Sequence, residues 1–227
     1  MTGAGATLQT RLGYAFRDPS LLDLALTHAS APSAVDGPDY ERLEFLGDRV
    51  LGLIVAERLY ALYPHEPEGD LSKRHTALVR AETLAAIARR IDIGAAMRLS
   101  DAEKAAGGAH NENILSDMLE AVIGAIFLDG GLDAARAALN PLLDADIAAM
   151  PAPPRDAKTA LQEWAQAHGL GLPEYILVER AGPDHAPSFT LAVKLADGRT
   201  AQGTGPSKRA AEKQAAQSLL ELVEDRT

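Results

Sequence analysis

The chain has 227 residues, a formal net charge of −10, no cysteine and 47% hydrophobic residues. The lack of thiols excludes disulfide scaffolds, cysteine zinc sites and thiol catalysis. An aromatic fraction of only 4% demands a largely aliphatic core, and the length suits one or two domains.

The N-terminal stretch MTGAGATLQTRLG has neither the basic nor the apolar segment of a signal peptide. The longest uncharged apolar run, Ala121 to Leu128, is too short to span a bilayer. A soluble cytoplasmic protein with no membrane partner is expected. Asp18-Pro19 reads as a cap followed by proline at the first helical position, and LLDLALTH continues that helix. A long helix is predicted from about Pro38 to Tyr63, stopped by Pro64. Another begins after Asp70 and runs unbroken through LSKRHTALVRAETLAAIARR. Ser100 with Glu103 forms a capping box for a short helix. Asn113 to Asp129 is helical and ended by Gly130-Gly131; Leu132 to Ala149 adds a helix interrupted near Pro141. No convincing strand alternation appears, so residues 1–150 are expected to form an all-α domain.

Three prolines fall within PAPPR at 151–155, a stiff connector rather than a helix or strand. A second domain, 156–227, follows. Asp156 caps a helix through KTALQEWAQAHG. PEYILVERA, SFTLAVKLA and RTAQGTG read as strands, with turns at Gly182-Pro183 and Ala196-Asp197-Gly198. A final helix runs from Ser207 to about Glu224. The order α-β-β-β-α describes a small α+β module whose sheet buries one face against two helices. The charge divides unevenly: residues 1–150 carry a net −9 and residues 151–227 a net −1.

The segment YERLEFLGDRVLGLIVAE is the most informative. At about 100° per residue, Glu41, Glu44 and Asp48 share an arc of about 60°, with Leu43, Leu46, Val50, Leu53 and Ile54 opposite. Like charges at this spacing cost ~0.2–0.5 kcal/mol per pair. Phe45 lies toward the acidic side and wants a partner outside its own helix. In ENILSDMLEAVIGAIFLD, Asp117 and Glu120 repeat the arrangement, flanked by Ala121 and Gly124, whose small size permits close approach of another helix. An acidic stripe alone is most often a solvated helix face. Here both stripes sit in the most apolar helices, and neither has Lys or Arg at i+4. Facing each other, they would bring up to five carboxylates together, which a hard divalent cation such as Mg²⁺ or Mn²⁺ would offset.

ERLEFLGDRVL at 41–51 resembles the signature of the ribonuclease III family, and ILSDMLEAVIGAIFLD resembles its second acidic helix. LTHAS at 26–30, EGDLS at 68–72 and Leu78-Val79 sit where that family has similar stretches. The resemblance implies a Mg²⁺-dependent endonuclease for double-stranded RNA that leaves 5′-phosphate and 3′-hydroxyl ends. It implies a homodimer with two sites, each cutting one strand and leaving short 3′ overhangs, no organic cofactor, and a part in processing ribosomal, messenger and transfer RNA precursors. By position, Glu44, Asp117 and Glu120 would be metal ligands, Asp48 a companion catalytic acid, and Glu120 the residue most directly tied to chemistry. Glu41 and Glu68 would be accessory acids, and Phe45 a knob entering the partner subunit. Tyr40 and Arg49 depart from the family pattern, where Asn and Ser are common. His28 matches the family and is expected to be structural.

Lys208 and Arg209 in a first helical turn oppose the helix dipole. A phosphate there would meet both side chains and free N–H groups. GPDHAPSF at 182–189 followed by GTGPSKRAAEKQAA resembles the double-stranded RNA-binding domain. That resemblance implies contacts to successive minor grooves from Gln162, Glu163 and His185, and a phosphate clamp of Lys208, Arg209 and Lys213. Phe189 and Trp164 are expected in the core.

Overall fold

The computed structural model describes residues 3–34, 39–183 and 187–224. The chain divides between Pro154 and Arg155 into two compact units. Among the described residues, no helix is long and apolar enough to cross a membrane.

The first unit contains α1 (Gly3–Leu12), α2 (Pro19–Ala25), α3 (Glu41–Leu62), α4 (Glu68–Val79), α5 (Ala81–Arg90), α6 (Asp101–Ala105) and α7 (Glu112–Ala148). Short 3₁₀ turns connect some of them. The core is aliphatic, as the composition requires: Leu51, Ile54, Leu59, Leu78, Leu84, Ile87, Leu115 and Met118 are fully buried. Asp18 caps α2 through Ser20 N, and Ser100 caps α6 through Glu103 N at 3.1 Å.

Two helix boundaries differ from expectation. The long run after Asp70 is two helices, broken at Arg80, whose backbone is extended. The Thr83 hydroxyl donates to the Ala77 carbonyl at 2.7 Å and so replaces the amide that a continuous helix would have placed there. As the Gly130-Gly131 stop predicts, α7 is two helices joined at a kink, where Gly131 takes φ 80 and ψ −176. Pro141, by contrast, does not interrupt the helix. It removes one backbone donor, while burial of Ala138, Leu139 and Leu143 on both sides holds the turn. On α3, Leu53 is exposed rather than buried, because the buried stripe passes through Gly47, Val50, Leu51, Ile54 and Val55.

The kink at Gly131 is clasped by Asp129. Its carboxylate accepts from the Tyr14 hydroxyl at 2.6 Å and from the Arg17 and Asp18 amides at 2.8 and 2.9 Å. Burial alone would push that carboxyl up, but these donors outweigh it and hold it below the ordinary range. The stabilisation is therefore present at neutral pH and lost as pH falls through the depressed folded value. Asp129→Ala is expected to lower unfolding stability by about 1–2 kcal/mol in urea titrations at neutral pH, and by less in acid.

The second unit contains α8 (Ala157–Ala167), β1 (Glu174–Ala181), β2 (Ser188–Lys194), β3 (Thr200–Gly205) and α9 (Lys208–Glu224). The sheet is antiparallel in the order β1-β2-β3. Asp156 Oδ1 accepts from Lys158 N and Thr159 N, both at 3.1 Å, and starts α8. Leu161, Ala165, Val193, Leu195, Ala215 and Leu219 form the core. A Cβ at Gly203 would lie 2.2 Å from Ala215 N, so β3 and α9 meet backbone to backbone. β1 is less covered than an alternating strand should be: Ile176, Leu177 and Val178 are all exposed beside a register shift between Leu177 and Glu179.

Candidate active site

The site is made by the crossing of α3 and α7. A Cβ on Gly47 would stand 1.8 Å from the Glu120 carbonyl oxygen, and one on Gly124 would stand 2.3 Å from the Leu43 carbonyl oxygen. The two helices therefore touch through their backbones, with no side chain between them. Gly47→Ala must force α3 and α7 apart. The expected result is a melting temperature lowered by about 10 °C and loss of activity, read by circular dichroism and by assay.

One turn before Gly47, Glu44 reaches the acids of α7. Ligand oxygens of Glu44, Asp117 and Glu120 lie within 4.8 Å of one another, and all three residues are half-buried. Among the described residues, this is the place where three metal-capable side chains converge. Burial raises the proton affinity of Glu44, and Asp117, Glu41 and Asp48 add repulsion. Burial also raises Asp117, against a hydrogen bond from Ser116 Oγ at 3.3 Å. Glu120 is pushed up to about 8, first by burial and then by Asp48, Asp117 and Glu44. Three oxygen donors that resist joint ionisation at neutral pH are suited to a hard divalent cation.

The remaining acids are placed differently. Asp48 stands one turn along α3, close enough to act on both Glu120 and Glu44, but outside the triad. Its carboxylate is paired with Arg49 at 2.5 Å. Glu41 is exposed and lines a groove of about 740 Å³ with Leu21, Leu24, Phe45, Leu46 and Leu128. Phe45 is 65% exposed at that groove. Glu68 is not brought to the triad. It lies in the first turn of α4, beside Tyr60, Leu71 and His75.

A wall beside Asp117 was not anticipated. Tyr40 N donates to the Thr27 carbonyl at 3.1 Å, and its buried ring stacks on His28 at 5.5 Å with planes 14° apart. Burial raises the Tyr40 hydroxyl above its ordinary range, with Asp117 and Glu44 adding to it. His28 Nδ1 accepts the Ser30 amide at 3.1 Å, so in the neutral ring Nε2 carries the hydrogen. A histidine and a tyrosine 12 positions apart gave no periodic signal that would have paired them.

In the second unit, Gln162 and Glu163 are exposed on α8, and Lys208, Arg209 and Lys213 are exposed on α9. Ser207 caps α9, its Oγ accepting from Ala210 N at 3.2 Å. Gln162, Lys208 and Arg209 line one depression together with Asp156, Lys158, Thr159 and Glu212. Lys158 is tied there to Glu212 at 2.5 Å. His185 lies outside the described residues. Trp164 is half-buried, stacked on His168 at 3.9 Å and covered by Arg199 at 4.6 Å.

A ribonuclease-III-like family model matches residues 18–145, which include both acidic helices. Ribonuclease 3 of Cereibacter sphaeroides is 51% identical over 218 residues, covering 96% of this chain and 95% of its own. The chain belongs to the ribonuclease III family. A double-stranded RNA binding motif matches residues 157–223, from α8 to α9. Ribonuclease 3 of a Jannaschia species is likewise 51% identical, with 92% of each chain covered. The crystal structure of the nuclease domain of ribonuclease III from Campylobacter jejuni matches with a TM-score of 0.59 and 41% identity. That match covers 64% of this chain and 95% of that domain. A second structure of the same domain, at 42% identity and TM-score 0.59, covers 63% of this chain and 97% of its own. It describes structural flexibility in a region involved in dimer formation. The acidic crossing of α3 and α7 is thus the nuclease part of a ribonuclease III family chain, and the α-β-β-β-α unit is its RNA-binding part.

Proposed function

We propose that this chain is a Mg²⁺-dependent endonuclease that hydrolyses phosphodiester bonds in double-stranded RNA, leaving 5′-phosphate and 3′-hydroxyl ends. The observation that carries this reading is the convergence of Glu44, Asp117 and Glu120 in a chain that also holds a double-stranded RNA binding motif. These three residues would hold Mg²⁺, with Mn²⁺ as a substitute. The bound cation supplies a lowered water pKa and neutralises charge on the scissile phosphate. Asp48 and Glu120 are the catalytic carboxylates; without metal, burial and the neighbouring acids raise Glu120 to about 8, and a bound cation would hold it ionised. Glu41 is an accessory acid on the α3 stripe of the site, and Glu68, on α4 away from the triad, is the other accessory acid.

The working form is a homodimer whose contact includes Phe45. A 65%-exposed phenylalanine beside an apolar groove favours burial against a second copy. Two sites in such a pair, one per strand, give short 3′ overhangs. Gln162, Glu163 and His185 contact minor grooves, and Lys208, Arg209 and Lys213 clamp the phosphates between them. Residues 151–155 act as the connector between 1–150 and 156–227. Ribosomal RNA precursors and other structured transcripts, messenger and transfer RNA among them, are the cytoplasmic substrates.

The deciding experiment incubates long duplex RNA with the protein in Mg²⁺ or EDTA, beside Glu120→Gln. Cleavage in Mg²⁺ only, by the unaltered chain only, is expected. A duplex shifted on a gel but uncut by the unaltered chain in Mg²⁺ would refute the enzyme reading. Changing Lys208, Arg209 and Lys213 together to Gln is expected to weaken duplex binding about 10- to 100-fold and to flatten its salt dependence. A mobility-shift titration at two salt concentrations checks both.

A further inference from the structure

Arg49 follows Asp48 and belongs to no element of the site as assigned above. It is nevertheless fixed by three contacts on one turn of α3. Its Nη1 donates to Asp48 Oδ2 at 2.5 Å and to the Phe45 carbonyl at 3.4 Å. Its guanidinium carbon stands 4.3 Å from the centre of the Phe45 ring. A planar guanidinium can pair in its plane and stack on its face at once, which an ammonium cannot. The side chain remains 60% exposed, so these contacts rather than burial determine where its charge sits.

That charge sits beside the acidic cluster. Asp48, which it pairs, follows Glu44 by four residues on α3, so the two carboxylates lie on neighbouring turns of one face, and Glu44 converges with Asp117 and Glu120. A cation beside this cluster relieves carboxylate repulsion when no metal is bound. The same cation opposes a divalent ion that enters the triad.

We propose that Arg49 is a positioning residue, a resident counter-ion of the acidic site that holds the Asp48 carboxylate and uses the Phe45 ring as its platform. It thereby weakens metal binding and ties the aromatic side chain at the groove to the acids of the site. This rests on the reading of Glu44, Asp117 and Glu120 as metal ligands.

The test measures Mn²⁺ affinity of the full chain by electron paramagnetic resonance, with pH and ionic strength the same for every variant. Arg49→Ser is expected to bind Mn²⁺ about 5- to 20-fold more tightly than the unaltered chain, since a nearby positive charge is gone. Arg49→Lys keeps the charge near Asp48 but not the simultaneous stacking on Phe45, and is expected to fall between the two, within about threefold of the unaltered affinity. A role in packing alone would not distinguish the two variants this way. Melting curves of both variants verify that each folds. Unchanged affinity in Arg49→Ser, or equal tightening in Arg49→Lys, overturns the proposal and leaves the metal reading standing. Failure of the unaltered chain to bind Mn²⁺ overturns the metal reading and this inference together.

Discussion

Glu120→Gln is expected to bind duplex RNA, to lose about 10³-fold or more in cleavage rate, and to be more stable than the unaltered protein when metal is withheld. The first two outcomes follow from removing a charged oxygen that both holds metal and acts on the reacting groups. The third follows from electrostatics. In the folded chain Glu120 is pushed up to about 8 by burial and by Asp48, Asp117 and Glu44. An unfolded glutamate titrates near 4.3. The fold therefore favours the protonated carboxyl. Its contribution to stability is fully present below about pH 4 and is lost as pH rises toward 8. Above that, the charged form is carried at full cost. Glutamine imitates the protonated state at every pH. In EDTA, the gap between variant and unaltered chain should open between about pH 5 and 8 and then level off. With solvent screening at this half-buried site it should reach about 1–3 kcal/mol, or a few degrees in melting temperature. Scanning calorimetry across pH in EDTA reads this directly. A variant that melts below the unaltered chain at about pH 8.5 would contradict the account. Proton release on metal binding is the companion expectation: calorimetry at about pH 7 in two buffers of different ionisation enthalpy should give different heats.

Much of this site was legible because helical spacing converts directly into side-chain placement. Glu44, Asp117 and Glu120 are each separated from buried leucines and isoleucines by a fixed arc, so the acidic stripes could be drawn from the sequence. Gly124 indicated where another helix can approach, and the contact to Leu43 O follows that reading. Gly47 carries the other half of the crossing and was passed over, although a small residue one turn from Glu44 sits in the same pattern. What stayed hidden lies between segments distant in sequence. The stacking of Tyr40 on His28 and the placement of Glu68 by Tyr60 and His75 are set by packing that no local period encodes. The break at Arg80 was hidden for a different reason. LSKRHTALVRAETLAAIARR suits a helix at nearly every position, and the competing hydroxyl of Thr83 bonds across the point where it divides. In the second unit, the strand limits and caps followed from turn residues, whereas the exposure of β1 depends on where α8 and α9 lie on the sheet.

Arg74→Ala is expected to destabilise the first unit by about 3–5 kcal/mol, the range for breaking a buried ion pair from one side. Arg74 is 1% exposed, the largest polar side chain so deeply buried among the described residues. Nε and Nη2 donate to the two carboxylate oxygens of Glu66, each at 2.7 Å. Nη1 donates to the Met150 carbonyl at 2.5 Å, and the guanidinium lies 3.9 Å from the centre of the Tyr63 ring. One side chain thus joins α4, the turn after α3 and the last residue before the connector. The Glu66 hydrogen bonds raise its proton affinity further, so it stays charged and its loss leaves Glu66 and the half-buried Met150 carbonyl without this partner. Pairing Arg74→Met with Glu66→Leu removes both charges and should recover a substantial part of the loss, which separates broken pairing from lost volume. The two units can be followed apart. The chain has one tryptophan, Trp164, and it lies in the second unit against His168. In Arg74→Ala, the main circular-dichroism transition should shift down by roughly 10 °C, while the Trp164 fluorescence transition keeps its midpoint. A matching shift in both would mean that the two units unfold as one. In that case the loss at Arg74 is transmitted through residues 151–155, and the connector is stiffer than three prolines in extended chain require.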